Sequence, residues 1–233
     1  MDNNHVSSPL LRRDFERVSP ALIAQASVFA ASILADVAGR RGTMDGRITP
    51  LSRSTRLAGP AFTVEVRPGD NLMIHAAMAL AQPGDVLVVD GKGDQSCALM
   101  GEIMITTCKK LGLGGVVIDG AHRDTEDLLS LGFPVYSVGS NPKGPTKSVA
   151  GRINMPISCG GVAVNPGDLI VGDGDGVVAI EQSKVASILA PAAQKVTDEL
   201  VRIEEITSGK KIRPAWLNSA LRTAGFLQNG ETL

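Results

Sequence analysis

The chain has 233 residues, 43% hydrophobic but only 3% aromatic, and 23 basic against 24 acidic side chains give a formal net charge of −1. That balance argues against a general nucleic-acid or membrane-surface binder, which carries a basic footprint, and leaves room only for a local basic patch. The length fits one large domain, or one domain with a helical tail, whose core must be packed from Val, Ile, Leu and Ala. Cys97, Cys108 and Cys159 form no CxxC pair, and an odd count without a signal-peptide pattern predicts reduced thiols. No run approaches the apolar length of a membrane span, so the expected setting is cytoplasmic.

Residues 1–17 read as a flexible polar segment, 18–190 as the main α/β domain and 191–233 as a C-terminal helical extension. Ser19-Pro20 is a good helix start, a cap residue followed by proline in the first turn. Leu22, Ile23, Ala26, Ala30, Ile33, Leu34 and Val37 then give one apolar face, predicting a single helix that stops at Gly39. Residues 40–50 read as a solvated connector. Residues 57–66 contain the strand AFTVEV. Pro-Gly-Asp occurs at Pro68, Pro83 and Pro166, each a turn device whose Asp can cap the next element. The first copy leads into a helix over 71–81, the second into an apolar strand over 86–89 ending at Asp90-Gly91, and the third into a strand over 169–171.

Residues 101–127, GEIMITTCKKLGLGGVVIDGAHRDTED, are the centre of the chain. A helix over 102–111 closes at Gly112, and Val116, Val117 and Ile118 suit a central strand. In a helix–turn–strand unit the helix start and the strand end share one side. The free N–H groups of Gly101, Glu102, Ile103 and Met104 therefore face the loop carrying Arg123 and Asp124. Helix N-termini attract anions. Arg123 offers a two-pronged donor for a carboxylate, and Asp124 offers a hard oxygen suited to Mg²⁺ or Mn²⁺. The plainer alternative stays open: Asp124 caps the helix starting at Thr125, Asp127 completes a capping box, and Arg123 is a surface ion pair.

A short helix reaches Leu131, a strand covers 134–138, and 141–147 is a polar loop. Residues 160–164, 169–172 and 177–180 read as antiparallel strands. The GDGDG beginning at Gly172 is a tight hairpin, lacking the glutamate a calcium loop needs. A long helix over 183–207 carries Glu199, and a terminal helix over 214–224 carries Trp216, expected to dock that tail. The mixture indicates a layered α/β or α+β fold.

Of the histidines, His5 is discounted, His122 either lines the site or points to solvent, and His75 reads as a satisfied buried residue between Ile74 and Ala76. There is no HExxH, no His/Cys cluster and no GxSxG. Lys92 is a weak Schiff-base candidate, because its neighbours are glycine and aspartate.

Gly101, Arg123, Asp124 and Asp127, with GDNLMIHAA at Gly69, PGDVLVVDG at Pro83 and GDGDGVVAI at Gly172, give a pattern that resembles the regulator of ribonuclease E activity A-like family over about residues 18–188. That family includes the class II pyruvate aldolases of aromatic catabolism that act on 4-hydroxy-4-methyl-2-oxoglutarate and 4-carboxy-4-hydroxy-2-oxoadipate. The resemblance implies a layered α-β-β-α sandwich, swivelling-domain-like and with mixed sheets, assembled as a trimer or hexamer with sites between subunits. It also implies a 2-oxo acid substrate, Mg²⁺ or Mn²⁺ on Asp124, catalysis by Arg123 and Asp124, and the substrate carboxylate on the amides of residues 101–104 and on Arg123. Asp127, Glu199 and His75 would stand behind these groups. Oxaloacetate decarboxylation would accompany the aldolase activity. Some members are instead binding proteins that inhibit an RNA-degrading enzyme. Asp127 fits the aldolase pattern, and no nucleotide-binding fingerprint supports a methyltransferase.

Overall fold

The computed structural model describes residues 10–233, so His5 and the first part of the N-terminal segment lie outside the described residues. Two compact units divide the chain, the first ending at Ala192 and the second running Ala193–Leu233. The first is a mixed α/β fold built on a mixed sheet, and seven α-helices occur among the described residues of the whole chain.

Four parallel strands form the middle of the sheet: β2 (Leu57–Glu65), β3 (Val86–Met100), β4 (Gly115–His122) and β5 (Val135–Ser140). Beside β5 lies β1 (Thr49–Pro50); β6 (Arg152–Ile153) pairs with β2, and β7 (Ile157–Cys159) and β8 (Val162–Val164) form a separate hairpin. Antiparallel β9 (Leu169–Asp173) and β10 (Gly176–Ile180) extend the sheet beyond β2, giving the order β1-β5-β4-β3-β2-β9-β10. The helices are α1 (Pro20–Ala26), α2 (Ala31–Val37), α3 (Leu72–Met78), α4 (Glu102–Lys110), α5 (Thr125–Leu131), α6 (Val185–Thr207) and α7 (Leu217–Thr223).

Both sheet faces are buried, as a parallel sheet requires. Alternation along the strands divides the apolar residues between two cores. Leu87 and Val89 of β3, with Val116 and Ile118 of β4, join Ile74, Ile105 and Leu128 from α3, α4 and α5. Val86, Val88 and Val117 face the opposite way, onto Tyr136, Ile48, Cys159 and Val164. Cys97, Cys108 and Cys159 are free thiols and buried. Burying a branched aliphatic side chain stabilises by about 1.5–3 kcal/mol, so with few aromatics the core draws on number rather than size.

The sequence expectation of one helix over 20–39 is corrected: α1 and α2 are separate, meeting at 104°. Ser19 does cap α1, its Oγ accepting from Leu22 N at 3.3 Å. The second start is invisible locally, because α2 takes its cap from Asp173, whose Oδ2 accepts from Ala31 N at 2.8 Å. Among the described residues no single helix is long and apolar enough to cross a membrane.

The segment 40–50 is not a solvated connector. Met44 and Ile48 are buried, and Arg47 Nη2 donates to Asp119 Oδ1 at 2.8 Å and Oδ2 at 2.9 Å. β3 does not stop at Asp90: it runs on to Met100 with register shifts against β4 after Val89, and Lys92 takes φ 61°. The GDGDG hairpin is the β9–β10 turn, with Asp173 opposite Gly176. Gly160 and Gly161, expected to open a strand, make the β7–β8 turn instead. In the second unit, Trp216 precedes α7 and is 66% exposed.

Candidate functional site

β3, α4 and β4 form one crossover unit, and this connectivity builds the site. Because β4 is parallel to β3, the two strands end together, with Met100 opposite His122. Met100 feeds Gly101 and α4, while His122 feeds Arg123 and Asp124. The cleft lies beyond the carboxyl ends of parallel strands, where ligands of open α/β sheets collect.

Asp124 adopts φ 61°, ψ 44°, a left-handed conformation that Asp tolerates better than most residues. Its side chain does not cap α5, which corrects the plainer reading of the sequence. The carboxylate crosses to the other helix: Oδ2 accepts from Glu102 N at 2.9 Å. No hydrogen bond from the described residues reaches Oδ1. Arg123 Nε lies 3.5 Å from Asp124 Oδ2, so the two side chains stand together at the α4 N-terminus. Ile103 and Met104 amides are first-turn donors with no carbonyl of their own helix to meet. Gly101 is required by crowding: an added Cβ would collide with Asp124 Oδ2 and lie 2.8 Å from Arg123 Cγ.

A cleft of about 180 Å³ opens here, lined in part by Asn71, His75, Gly101, Met104, Arg123 and Lys147. Drug-sized ligands occupy roughly 300–1,000 Å³, so this volume suits a small acid better than a nucleotide. A larger cleft of about 360 Å³ includes Asp168, Glu181 and Lys184. Three of its charges are already engaged: Asp168 accepts from Gln182 N at 3.0 Å and Asn165 N at 2.8 Å, and Lys184 pairs with Glu181 at 2.5 Å; Arg41 lines the same cleft.

His75 is exposed rather than buried, contrary to expectation. Partial desolvation lowers its pKa, and the charge of Lys147 lowers it further. His122 neither lines the cleft nor meets solvent. It is buried, with Nδ1 2.8 Å from Ser137 Oγ and Nε2 3.0 Å from Thr125 Oγ1, tying β4 to β5 and α5. Lys92 Nζ lies 2.6 Å from Asp90 and 3.1 Å from Glu65. Burial pushes its pKa down, but those carboxylates outweigh it and raise it. A held ammonium makes a poor Schiff-base nucleophile.

Asp127 is exposed on the first turn of α5. Glu199 lies on α6 in the second unit, 3.0 Å from Lys195. Among the described residues no three His, Cys, Asp or Glu side chains gather into a metal cage. The donor set fits an ion of another kind. Mg²⁺ keeps several waters and takes only one or two carboxylates alongside ligand oxygens, and Asp124 supplies one with Oδ1 available. Asn71 and Lys147 carry no sequence signal of their own, whereas Asp70 meets the capping expectation for Pro-Gly-Asp, its Oδ1 accepting from Leu72 N at the start of α3 at 3.0 Å.

A strand-end cleft lined by a guanidinium and the first turn of a helix, with the Asp124 carboxylate bonded to that helix beside it, is the candidate site of this mixed α/β protein. The chain belongs to the RraA-like family, whose Aldolase/RraA model matches residues 21–179. It is 38% identical over 199 residues, 85% of this chain and 95% of the relative, to a Halalkalibacterium halodurans protein provisionally named 4-hydroxy-4-methyl-2-oxoglutarate aldolase. Streptomyces coelicolor RraAS2, described as an unusual member of the RNase ES inhibitor RraA family, superposes with a TM-score of 0.75 at 29% identity, covering 81% of this chain and 99% of its own. A Geobacillus kaustophilus structure named S-adenosylmethionine:2-dimethylmenaquinone methyltransferase superposes at 0.61, also 29% identical, over 65% of this chain and 94% of its own.

Proposed function

We propose that this cleft is the active site of a cytoplasmic, divalent-metal-dependent carbon–carbon lyase. Its substrates are 4-hydroxy-2-oxo acids of the 4-hydroxy-4-methyl-2-oxoglutarate or 4-carboxy-4-hydroxy-2-oxoadipate type, cleaved to pyruvate and a second oxo acid. The observation that carries this reading is the Asp124 carboxylate bonded to the α4 amide of Glu102 with Arg123 alongside. The name of the 38% identical relative supports it.

Asp124 would hold Mg²⁺ or Mn²⁺, with Asp127 orienting water behind it. When bound, such an ion supplies Lewis-acid polarisation of the substrate's 2-oxo group. The amides of Ile103 and Met104 and the Arg123 guanidinium hold the C1 carboxylate. As the C3–C4 bond breaks, its electron pair moves into the pyruvate half and the C4 hydroxyl passes its proton to a nearby water acting as base, leaving a C4 carbonyl. Arg123 stabilises the negative charge developing on the C2 oxygen. Protonation at C3 completes pyruvate, and the other half leaves as an oxo acid. Decarboxylation of oxaloacetate produces the same enolate and is the expected side activity.

EDTA should abolish pyruvate release, and Mg²⁺ or Mn²⁺ should restore it. Activity that survives EDTA and is trapped by borohydride with substrate would transfer the reaction to a lysine. The second reading, a binding protein that inhibits an RNA-degrading enzyme, is favoured by the likeness to the Streptomyces protein. It requires no turnover in this assay. The working assembly is a homotrimer or a dimer of trimers in which a neighbouring copy supplies Glu199. A fully active monomer in sedimentation would remove that shared site.

A further inference from the structure

Lys147 stands on a loop whose backbone is fixed from beneath. Asp70, the acid of the first Pro-Gly-Asp, is only 1% exposed and accepts from Thr146 Oγ1 at 2.7 Å, Ser148 N at 2.7 Å and Val149 N at 3.2 Å. Thr146 N also donates to Gly69 O at 2.8 Å, and Asn71 N donates to Thr146 O at 3.0 Å. Both neighbours of Lys147 are thus tied to one buried carboxylate. Burial raises the Asp70 pKa, but these bonds outweigh it and hold it at about 2, so the clamp stays ionised near neutral pH.

The loop lies against the other wall of the cleft. An added Cβ on Gly144 would come within 3.0 Å of Arg123 Nη1, so the loop backbone passes close to the guanidinium. Lys147 and His75 line the cleft together with Arg123, and no acidic side chain among the described residues pairs with Lys147. Two cationic groups therefore border one small cleft, which Gly101, Ile103 and Met104 at the start of α4 also line. A ligand with a single carboxylate uses only the Arg123 end and leaves Lys147 with water.

We infer that Lys147 is a specificity-determining residue that binds a second carboxylate, on the end of the ligand remote from its 2-oxo acid group. This rests on the reading of the cleft as a 2-oxo acid site. Asp70 acts through the loop as a positioning residue. Lys147 would then select substrates whose departing half is itself an acid over those that release a neutral carbonyl compound. One charge-assisted contact at a partly open site corresponds to about tenfold in affinity.

The test is calorimetric binding of 2-oxoglutarate and 2-oxopentanoate, which share a skeleton and differ in the distal carboxylate, to the full chain with Mg²⁺. The parent should prefer 2-oxoglutarate about tenfold. Lys147→Met should reduce that preference to within about twofold, while Lys143→Met, on the same loop outside the cleft, should keep it. A parent without the preference, a Lys147→Met protein that retains it, or equal loss in Lys143→Met would overturn the inference. Pyruvate release from 4-hydroxy-4-methyl-2-oxoglutarate, measured on the same preparation, separates the two claims. Absent turnover with an intact, Lys147-dependent preference removes the lyase reading and leaves the diacid site standing.

Discussion

Asp124→Asn is expected to eliminate metal-dependent pyruvate release without unfolding the chain. The amide oxygen of Asn can still accept the Glu102 N–H that Asp124 Oδ2 accepts at 2.9 Å, so α4 keeps its N-terminal bond. The substitution removes the negative charge that holds a hard cation. Lewis-acid stabilisation contributes several kcal/mol, so kcat/KM should fall by about a thousandfold or more. Asp124→Ala loses the same chemistry and the cap as well, at about 1 kcal/mol of stability. For a chain of this size that lowers Tm by about 2–4 °C. Matched melts and Mg²⁺ titrations of both variants check the separation. If Asp124→Asn melts like Asp124→Ala, the carboxylate is chiefly a cap. If it retains turnover, the ion is held elsewhere.

The meeting of Asp124 with α4 was legible because every signal for it is local. A glycine before the helix, a glycine after it and a β-branched strand describe a crossover, and a crossover brings its two ends together. The direction of the Asp124 side chain was not legible, since capping its own helix and crossing to the other look identical in sequence. Contacts made over long separations were missed altogether. Asp173 caps α2 from 142 positions away, Arg47 finds Asp119 across 72, and Asp70 holds Ser148 across 78. None leaves a periodicity.

His75 was misread for a different reason. Its neighbours Ile74 and Ala76 are apolar, but consecutive helix residues do not share a face. Ile74 is fully buried in the core while His75 turns to the cleft mouth. The helix break before α2 was hidden in the same way, because the apolar positions continue across it and only the distant Asp173 marks the second start.

Arg123→Lys distinguishes an arginine that positions chemistry from one that supplies charge. Arg123 Nε lies 3.5 Å from Asp124 Oδ2, and its side chain is 41% exposed. Its remaining nitrogens form a planar fork able to hold a carboxylate and face the C2 oxygen at once. Lysine preserves the charge in a single, more strongly hydrated point and cannot do both. Loss of one well-aimed donor to the developing oxyanion costs about 3 kcal/mol, or about a hundredfold in kcat. The same substitution should raise KM, because the carboxylate clamp is lost with the fork. An electrostatic attractor predicts the opposite split, KM slightly raised and kcat kept. Steady-state kinetics at saturating Mg²⁺, with folding and metal content matched to the parent, decide between them. A kcat within a fewfold of the parent would remove Arg123 from the bond-breaking step and leave it as a binding residue.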